Sequence, residues 1–284
     1  MPLVSTARRP EPTYLLDPLD YPGRRVVASG LLLGRSLVAW TLTPGQPPGE
    51  ATVETGSAGQ VSPTPLDRVL ADQGVPPLGE RAVVVAVGSN ASYRVVHSKL
   101  TVARASTVVP FMTCRVWGMG VAYSAHVSRP GYIPVSPVDD PGGVVDLVAA
   151  FLDEQQLLAM DATEGNYRRL LLHRDRYPML LDGDLRPETY YVYRSKQGVL
   201  RVRGDLVPPV SQRELHRLLF DDDELASLVP GRSPEERVTS LRQRSVQQRV
   251  GELFKRRGWA ADSGLVGIEA RSTDPVHHFG DAPG

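Results

Sequence analysis

Residues 83–87 are apolar at every position, and the run ends abruptly in Gly88, Ser89 and Asn90. An apolar run of this length without polar alternation predicts a strand that is covered on both faces. Glycine, serine and asparagine tolerate the backbone angles of tight turns, and a turn at a strand end exposes N–H groups that can bind an anion or a polarised carbonyl. The pattern therefore predicts a buried strand that presents a binding loop. An ordinary surface turn is the alternative for these three residues taken alone.

A second informative segment, residues 157–169, contains the end of a helix that we predict over residues 153–161. Glu164 and Gly165 follow that helix, and a strand is predicted to begin at Tyr167. A carboxylate in this position can serve as a general acid or base, although most acids at helix ends are simply solvated. Glu164 is therefore the candidate catalytic residue.

The two segments together resemble the gamma-glutamylcyclotransferase-like family. Its members carry an apolar strand that ends in Tyr-Gly-Ser-Asn and, later, a Leu-Asp-x-x-Glu-Gly segment followed by a tyrosine and a strand. The corresponding residues here are 87–90 and 160–167, and the resemblance covers residues 83–209. It implies an α+β fold, a small mixed β-barrel of the gamma-glutamylcyclotransferase-like type, formed by residues 81–210.

The resemblance also implies an enzyme that cleaves a small-molecule γ-glutamyl amide. The α-amine of the substrate attacks its own γ-carbonyl, and 5-oxoproline and an amine are released. Glu164 would carry the proton between the two nitrogen atoms, and no metal or other cofactor is required. The residues expected to bind the substrate are Val87, Gly88, Ser89, Asn90, Ala91, Tyr167, Tyr191 and Tyr193.

Val87 departs from the family pattern, because members carry a tyrosine at this position. The missing hydroxyl changes the expected substrate contacts, and two further hypotheses stay open. One is a non-catalytic small-molecule-binding or scaffold module of the same fold. The other is a related barrel that serves as the accessory domain of an amide-metabolising enzyme. For each tyrosine of the expected site, a packing role is as good an interpretation as a ligand contact.

Residues 1–80 form a predicted N-terminal extension. Two β-like runs on either side of Gly34 predict a hairpin, and the Pro-, Gly-, Ser- and Thr-rich residues 43–63 predict a long loop. Thr64 as N-cap and Pro65 at the first helical position predict a short helix before the central strand.

Short strands separated by turns are predicted through the middle of the chain, and helices and a tail follow them. Capping-box patterns at Ser211 and Ser233 predict two helices in a C-terminal extension over residues 211–260, and residues 261–284 are expected to be a flexible tail. The second helix, over 234–257, has an apolar stripe formed by Val238, Leu241, Val246, Val250, Leu253 and Phe254. The predicted strands are 115–117, 121–126, 132–135, 143–148, 167–173 and 189–193.

Charge, cysteine content and hydropathy argue against a nucleic-acid partner, an internal disulfide and a membrane span. Lys+Arg and Asp+Glu are both 32, so no basic field indicates a nucleic-acid partner. The single cysteine, Cys114, excludes an internal disulfide and is predicted to be a buried structural thiol. No segment has the roughly 18 consecutive apolar residues of a membrane span. We therefore expect a cytoplasmic protein without a membrane partner.

Overall fold

The computed structural model describes residues 16–43, 45–57 and 60–280. Over these ranges the protein is a mixed α+β structure in which helices cover a large, mostly antiparallel sheet. The strands are β1 (Gly30–Leu33), β2 (Ser36–Thr41), β3 (Thr52–Ser57), β4 (Gln60–Pro65), β5 (Ala82–Ala86), β6 (Val109–Tyr123), β7 (Val135–Leu152), β8 (Tyr167–His173), β9 (Met179–Leu181), β10 (Thr189–Ser195), β11 (Val199–Val202), β12 (Asp205–Leu206), β13 (Ala260–Ala261) and β14 (Ile268–Glu269). The α-helices are α1 (Leu66–Asp72), α2 (Tyr93–Ala103), α3 (Glu154–Thr163), α4 (Gln212–Leu219), α5 (Asp223–Leu228), α6 (Pro234–Leu241) and α7 (Arg244–Arg256).

Strand β5 occupies the middle of the main sheet. Within the described ranges this sheet has 11 strands in the order β14-β8-β10-β5-β7-β6-β1-β2-β3-β4, with β9 paired to β6. β5 is parallel to β10 and antiparallel to β7. All 5 residues of β5 are buried, which confirms the prediction of a strand covered on both faces.

The sheet is open, so the predicted barrel is wrong. In the part of the chain that the structure describes, the outermost strands β14 and β4 pair only with β8 and β3. Of the four short strands predicted between residues 115 and 148, residues 115–117, 121–123 and 143–148 are parts of β6 and β7, two long strands whose register shifts between Trp117 and Met119. Residues 124–126 and 132–134 lie outside both strands. β6 is paired with β1, and the sheet continues through β1 to β2, β3 and β4.

The N-terminal extension adds strands to the same sheet. β1 and β2 form the hairpin that the sequence predicts across Gly34. β3 and β4 form a second hairpin, so the long loop predicted over residues 43–63 is wrong where these two strands lie. Pairing of Trp40 with Val53 buries Val53 completely, a contact that the polar local sequence does not signal. α1 begins one residue later than predicted, with Pro65 as its N-cap.

Helices α2 and α3 pack against each other over one face of the sheet. α3 begins in a capping box between Asp153 and Gln156, which confirms the helix predicted there. α2 has no counterpart among the predicted helices. Its buried positions include Val96, Lys99 and Leu100, spaced to lie on one helix face. A lysine therefore lies on the inward face of α2.

A layer formed by α4–α7 packs on a second cluster of apolar residues. The single helix predicted over 234–257 is wrong, because the chain breaks between α6 and α7 at Arg242 and Gln243. The predicted apolar stripe is confirmed, since every member of it is buried. The capping box at Ser211 is also confirmed, because Ser211 and Glu214 satisfy each other's backbone donors.

Residues 262–280 belong to the segment that the sequence suggests is a tail, and they contact the sheet along their length. β14 pairs with β8, and the N–H of Ala270 donates to the carbonyl of Arg169. The Phe279 ring packs edge-on against Phe151 with centroids 5.1 Å apart. Residues 281–284 lie outside the described ranges.

The structure also tests two predictions made from composition. Cys114 is 5% exposed, and burial raises the pKa of its thiol to about 12, so the interpretation as a buried structural thiol is confirmed. Among the residues described, none of the helices combines the length and the apolar character that crossing a membrane requires.

Candidate functional site

The loop after β5 turns directly into α2. Ser89–Ala91 form a 3-10 turn with Gly88 as its N-cap. The N–H groups that open such a turn have no acceptor inside it, so they can donate to oxygen atoms of a ligand. Val87, Gly88, Ser89 and Asn90 are half-buried, whereas Ala91 is fully buried and its carbonyl accepts from the N–H of Val26 at 2.8 Å. The first part of the loop is therefore accessible, and the last part is fixed inside.

Tyr21 packs the N-terminal extension against this loop. Its hydroxyl accepts a hydrogen bond from the N–H of Val135 at 3.0 Å, and its ring stacks on Tyr132 with centroids 4.3 Å apart. A Cβ atom on Gly88 would lie 2.4 Å from the Tyr21 hydroxyl oxygen. Glycine at position 88 therefore allows the close approach of Tyr21, which a side chain would prevent.

Glu164 is the C-cap residue of α3, and its carboxylate contacts the loop. The side-chain amide of Asn90 donates to Glu164 Oε1 at 3.0 Å, and Lys99 Nζ donates to the same oxygen at 2.6 Å. The side chains of Lys99 and Glu164 are only 8% and 12% exposed. The structure thus brings together two residues of the predicted site, Glu164 and Asn90, and adds a lysine to them.

Asn90 closes the contacts into a network of three side chains. Its Oδ1 accepts from Lys99 Nζ at 2.8 Å while its amide nitrogen donates to Glu164. Because each side chain contacts the other two, the rotamer of each is restricted. Among the described residues, both hydrogen bonds to the carboxylate reach Oε1. Neither of these two hydrogen bonds reaches Oε2, which keeps its capacity to accept.

Tyr167 lies beside this network with its hydroxyl bonded to the backbone. The hydroxyl donates to the carbonyl of Val135 at 3.0 Å, and the ring meets His126 edge-on at 5.9 Å between centroids. Burial, and then the neighbouring Tyr21 and Glu164 groups, raise the pKa of Tyr167 well above its usual value. Tyr167 therefore stays neutral and lines the site with its ring.

Tyr193 belongs to a second polar network on the same side of the sheet. Its hydroxyl donates to Asp161 Oδ1 at 2.7 Å, and Arg169 Nη2 lies 3.4 Å from Asp161 Oδ2. Burial raises the pKa of Asp161, and the Tyr193 hydrogen bond and the Arg169 charge oppose that shift. Burial, and then Asp161, raise the pKa of Tyr193 well above its usual value. The charge of Glu164 contributes a smaller increase to both groups, so the two networks are electrostatically coupled.

Tyr191 lies on the side that faces residues 262–280. Its hydroxyl accepts from the N–H of His277 at 3.0 Å, and the guanidinium of Arg169 lies 4.7 Å from its ring centroid. Arg169 is 5% exposed. Of the three tyrosines in the predicted site, Tyr167 and Tyr193 lie within the field of Glu164, and Tyr191 contacts Arg169 behind them.

A buried histidine lies behind Tyr167. His126 Nδ1 is 2.6 Å from Ser124 Oγ, and the Ser124 hydroxyl donates to Ser195 Oγ at 2.6 Å. Burial lowers the pKa of His126 to about 4, against a smaller opposing contribution from Glu164. The ring is therefore neutral near neutral pH. Within the described part of the chain, no three His, Cys, Asp or Glu side chains form a group that could hold a metal ion.

The sequence prediction missed Lys99 and Tyr21. A signal for Lys99 was present, because the chain has lysine at only three positions and Lys99 follows Val95 and Val96 at helical spacing. No comparable signal marks Tyr21, which lies in a proline-containing stretch without periodicity. Its place beside Gly88 depends on how the N-terminal extension folds over the sheet.

Three solved structures are distantly similar to this chain in fold. No family model matches the chain, and no curated protein matches it. A structure from Arabidopsis thaliana, determined in solution, is 16% identical with a TM-score of 0.34, and the match covers 52% of this chain and 87% of that chain. An uncharacterized protein from Homo sapiens is 14% identical with a TM-score of 0.33, over 58% of this chain and 99% of that chain. A gamma-glutamyl cyclotransferase is 11% identical with a TM-score of 0.33, over 61% of this chain and 99% of that chain.

Proposed function

We propose that this protein cleaves a γ-glutamyl amide by intramolecular cyclisation, with Glu164 as general acid/base. The products are 5-oxoproline and a free amine. The observation that carries the proposal is the 3.0 Å hydrogen bond between Asn90 and Glu164, which holds a carboxylate against the loop after β5. The reaction itself is suggested by the resemblance of residues 87–90 and 160–167 to the two motifs described above.

The proposed reaction requires few catalytic groups, because the nucleophile and the electrophile belong to the same substrate molecule. Holding the α-amine against the γ-carbonyl replaces a bimolecular encounter with an intramolecular step. A bond forms between the α-nitrogen and the γ-carbonyl carbon, and the bond from that carbon to the leaving nitrogen breaks. From the neutral α-amine that attacks, one proton passes from the first nitrogen to the second, and no water is consumed. An α-ammonium first gives up its additional proton, which the amine takes up when it is released.

In this proposal Glu164 accepts the proton from the α-amine at Oε2 and delivers it to the leaving nitrogen. The contacts of Lys99 and Asn90 to Oε1 keep the carboxylate in one orientation during the transfer. The N–H groups that open the Ser89–Ala91 turn donate to the γ-carbonyl oxygen as negative charge develops on it.

The other expected substrate-binding residues keep roles that fit their present contacts. Val87 and Ala91 would shape the loop. The rings of Tyr167 and Tyr193 would bound the substrate, because their hydroxyls already donate to other groups of the protein. Tyr191 would not contact the substrate itself and would act only through its contact with Arg169.

A binding module without catalysis is the second candidate function. It is favoured by the Lys99–Glu164 ion pair, because the carboxylate already holds a cation of the protein where a substrate group would have to approach. Such a module would bind γ-glutamyl compounds and release no 5-oxoproline.

The test is 5-oxoproline release from a panel of γ-glutamyl amines and dipeptides. We expect release by the wild-type protein, and a kcat lower by roughly 10²–10⁴-fold for Glu164→Gln, the usual contribution of one general acid–base group. The matched control is Glu154→Gln, the same change at an exposed position on the same helix. With circular dichroism confirming that each variant is folded, equal release by Glu164→Gln and wild type would contradict the proposal. So would the absence of release from every member of the panel.

A further inference from the structure

The Lys99–Glu164 ion pair is withdrawn from water, unlike the surface ion pairs of the chain. Its side chains are 8% and 12% exposed, whereas those of Arg115 and Asp146 are 54% and 73% exposed. Charges that have lost their hydration depend on each other for compensation, and removing one partner leaves the other buried and uncompensated. Any ligand that enters this site must therefore preserve the charge balance around both groups.

A ligand with only one charge cannot preserve that balance. A cation placed at Glu164 Oε2 also lies near the Lys99 ammonium, and the two positive charges repel each other. An anion placed at Lys99 likewise repels Glu164. A ligand that carries both charges, on two groups attached to one carbon atom, compensates each member of the pair and leaves the total charge of the site unchanged. A neutral ligand also leaves the total charge unchanged, but it gives neither charged group a partner of opposite charge.

We propose that Lys99 binds the α-carboxylate of the substrate while Glu164 receives its α-amine, so that the site selects γ-glutamyl compounds in which both groups are free. This inference rests on the proposed cyclisation. The amine and the carboxylate of an α-amino acid are attached to one carbon atom, and Lys99 Nζ and Glu164 Oε1 are similarly close, at 2.6 Å. Asn90 contacts both protein groups and keeps them side by side.

The alternative role for Lys99 is to orient Glu164 without touching the substrate. The two roles differ in how they respond to a change in the substrate. If Lys99 binds the α-carboxylate, converting that group to a carboxamide removes its partner. If Lys99 only orients Glu164, loss of Lys99 slows the carboxylate and carboxamide substrates by the same factor.

The experiment measures kcat and KM for a matched pair of γ-glutamyl amides that differ only in an α-carboxylate or an α-carboxamide. We expect wild type to prefer the carboxylate by at least about 30-fold in kcat/KM, the lower end for a buried charge pair, mainly through KM. Lys99→Met should reduce the preference to within a few-fold. Lys255→Met, the same change at an exposed lysine on α7, should keep the wild-type preference. A preference that survives in Lys99→Met would overturn the inference.

A second variant and a binding measurement keep the test decisive. Lys99→Gln removes the charge and can still donate to Glu164, and it replaces Lys99→Met if that variant does not fold. Calorimetry on the wild-type protein compares L-glutamine, itself a γ-amide with both groups free, with its α-carboxamide. Binding of the first alone supports the inference even if no 5-oxoproline is released, the result that defeats the proposed reaction. Equal binding of both, or of neither, contradicts the inference.

Discussion

A buried cation lies at each end of β5, and the two cations have different hydrogen-bond partners. Arg81, immediately before the strand, is 0% exposed. It donates mainly to backbone carbonyls, at 2.9–3.4 Å, those of Pro76, Val108 and Phe151. Lys99, beside the loop after the strand, donates to the side chains of Asn90 and Glu164.

The partners of the two cations differ in how freely they can move. The carbonyls around Arg81 belong to different segments of the chain, so they can change partners only if those segments move. The side chains around Lys99 can shift by rotation about single bonds and accept a ligand in place of a protein partner. We therefore expect changes near Arg81 to lower stability, and changes near Lys99 to alter chemistry first.

The largest expected effect is that of Arg81→Met on stability. The change leaves buried carbonyl groups without a donor, and we expect the free energy of unfolding to fall by about 3–5 kcal/mol. Urea unfolding of the variant and of wild type measures this difference in the free energy of unfolding. Arg115→Met, which removes an exposed arginine from a surface pair with Asp146, should cost at most about 1 kcal/mol. If the two variants are equally stable, Arg81 does not hold the amino-terminal end of β5 together.

The second-largest expected effect is a loss of stability at low pH, caused by protonation of His126 behind Tyr167. The pKa of His126 is lowered from 6.5 to about 4, chiefly by burial, so the unfolded chain binds a proton more readily between these values. The stability due to neutral His126 is complete above pH 6.5 and is lost as the pH falls to 4, by about 3 kcal/mol. Burial also lowers the pKa of His216 to about 4, so it adds a similar loss.

Urea unfolding between pH 7 and pH 4 checks this expectation. His126→Gln should remove about half of the pH dependence, because the contribution of His216 remains. A variant with the same slope of stability against pH as wild type would show that His126 does not titrate in this window. The Arg81→Met variant, in contrast, should keep the wild-type slope, because arginine stays charged throughout this range.

A smaller effect is expected for Gly88→Ala. The added Cβ would lie 2.4 Å from the Tyr21 hydroxyl oxygen, so Tyr21 must move, at a cost of about 1–3 kcal/mol in stability. Combining the change with Tyr21→Phe should recover part of that loss, because it removes the clashing atom. Gly142→Ala is the control, since nothing lies within 4 Å of its added Cβ. Additive losses in the double variant would contradict the assigned contact.

Much of the local structure could be predicted from sequence alone. The apolar residues before Gly88 predict β5, and the capping residues Asp153 and Ser211 mark the starts of two helices. These features depend on neighbours within a few positions, so periodicity and capping preferences report them directly. The same periodicity would have found α2, had its buried lysine been read as part of an apolar face.

The open sheet could not be predicted in this way. β6 and β7 are interrupted by Pro137, Gly118 and Gly120, residues that usually mark turns, yet pairing of the two strands carries the chain through them. The edge of β6 is then covered by β1 from a distant part of the sequence. Strand pairing of this kind depends on which edges meet in space, and local preferences do not record it.

The sequence by itself determined the parts of the candidate site, namely a loop with exposed donors after a buried strand and a carboxylate at a helix end. Only the tertiary structure decided their partners. Lys99 and Glu164 are separated by 65 positions, and Tyr21 and Val135 by 114. The physical reason is that a side chain's burial follows from its local pattern, whereas the group that compensates its charge is set by the packing of two helices on the sheet.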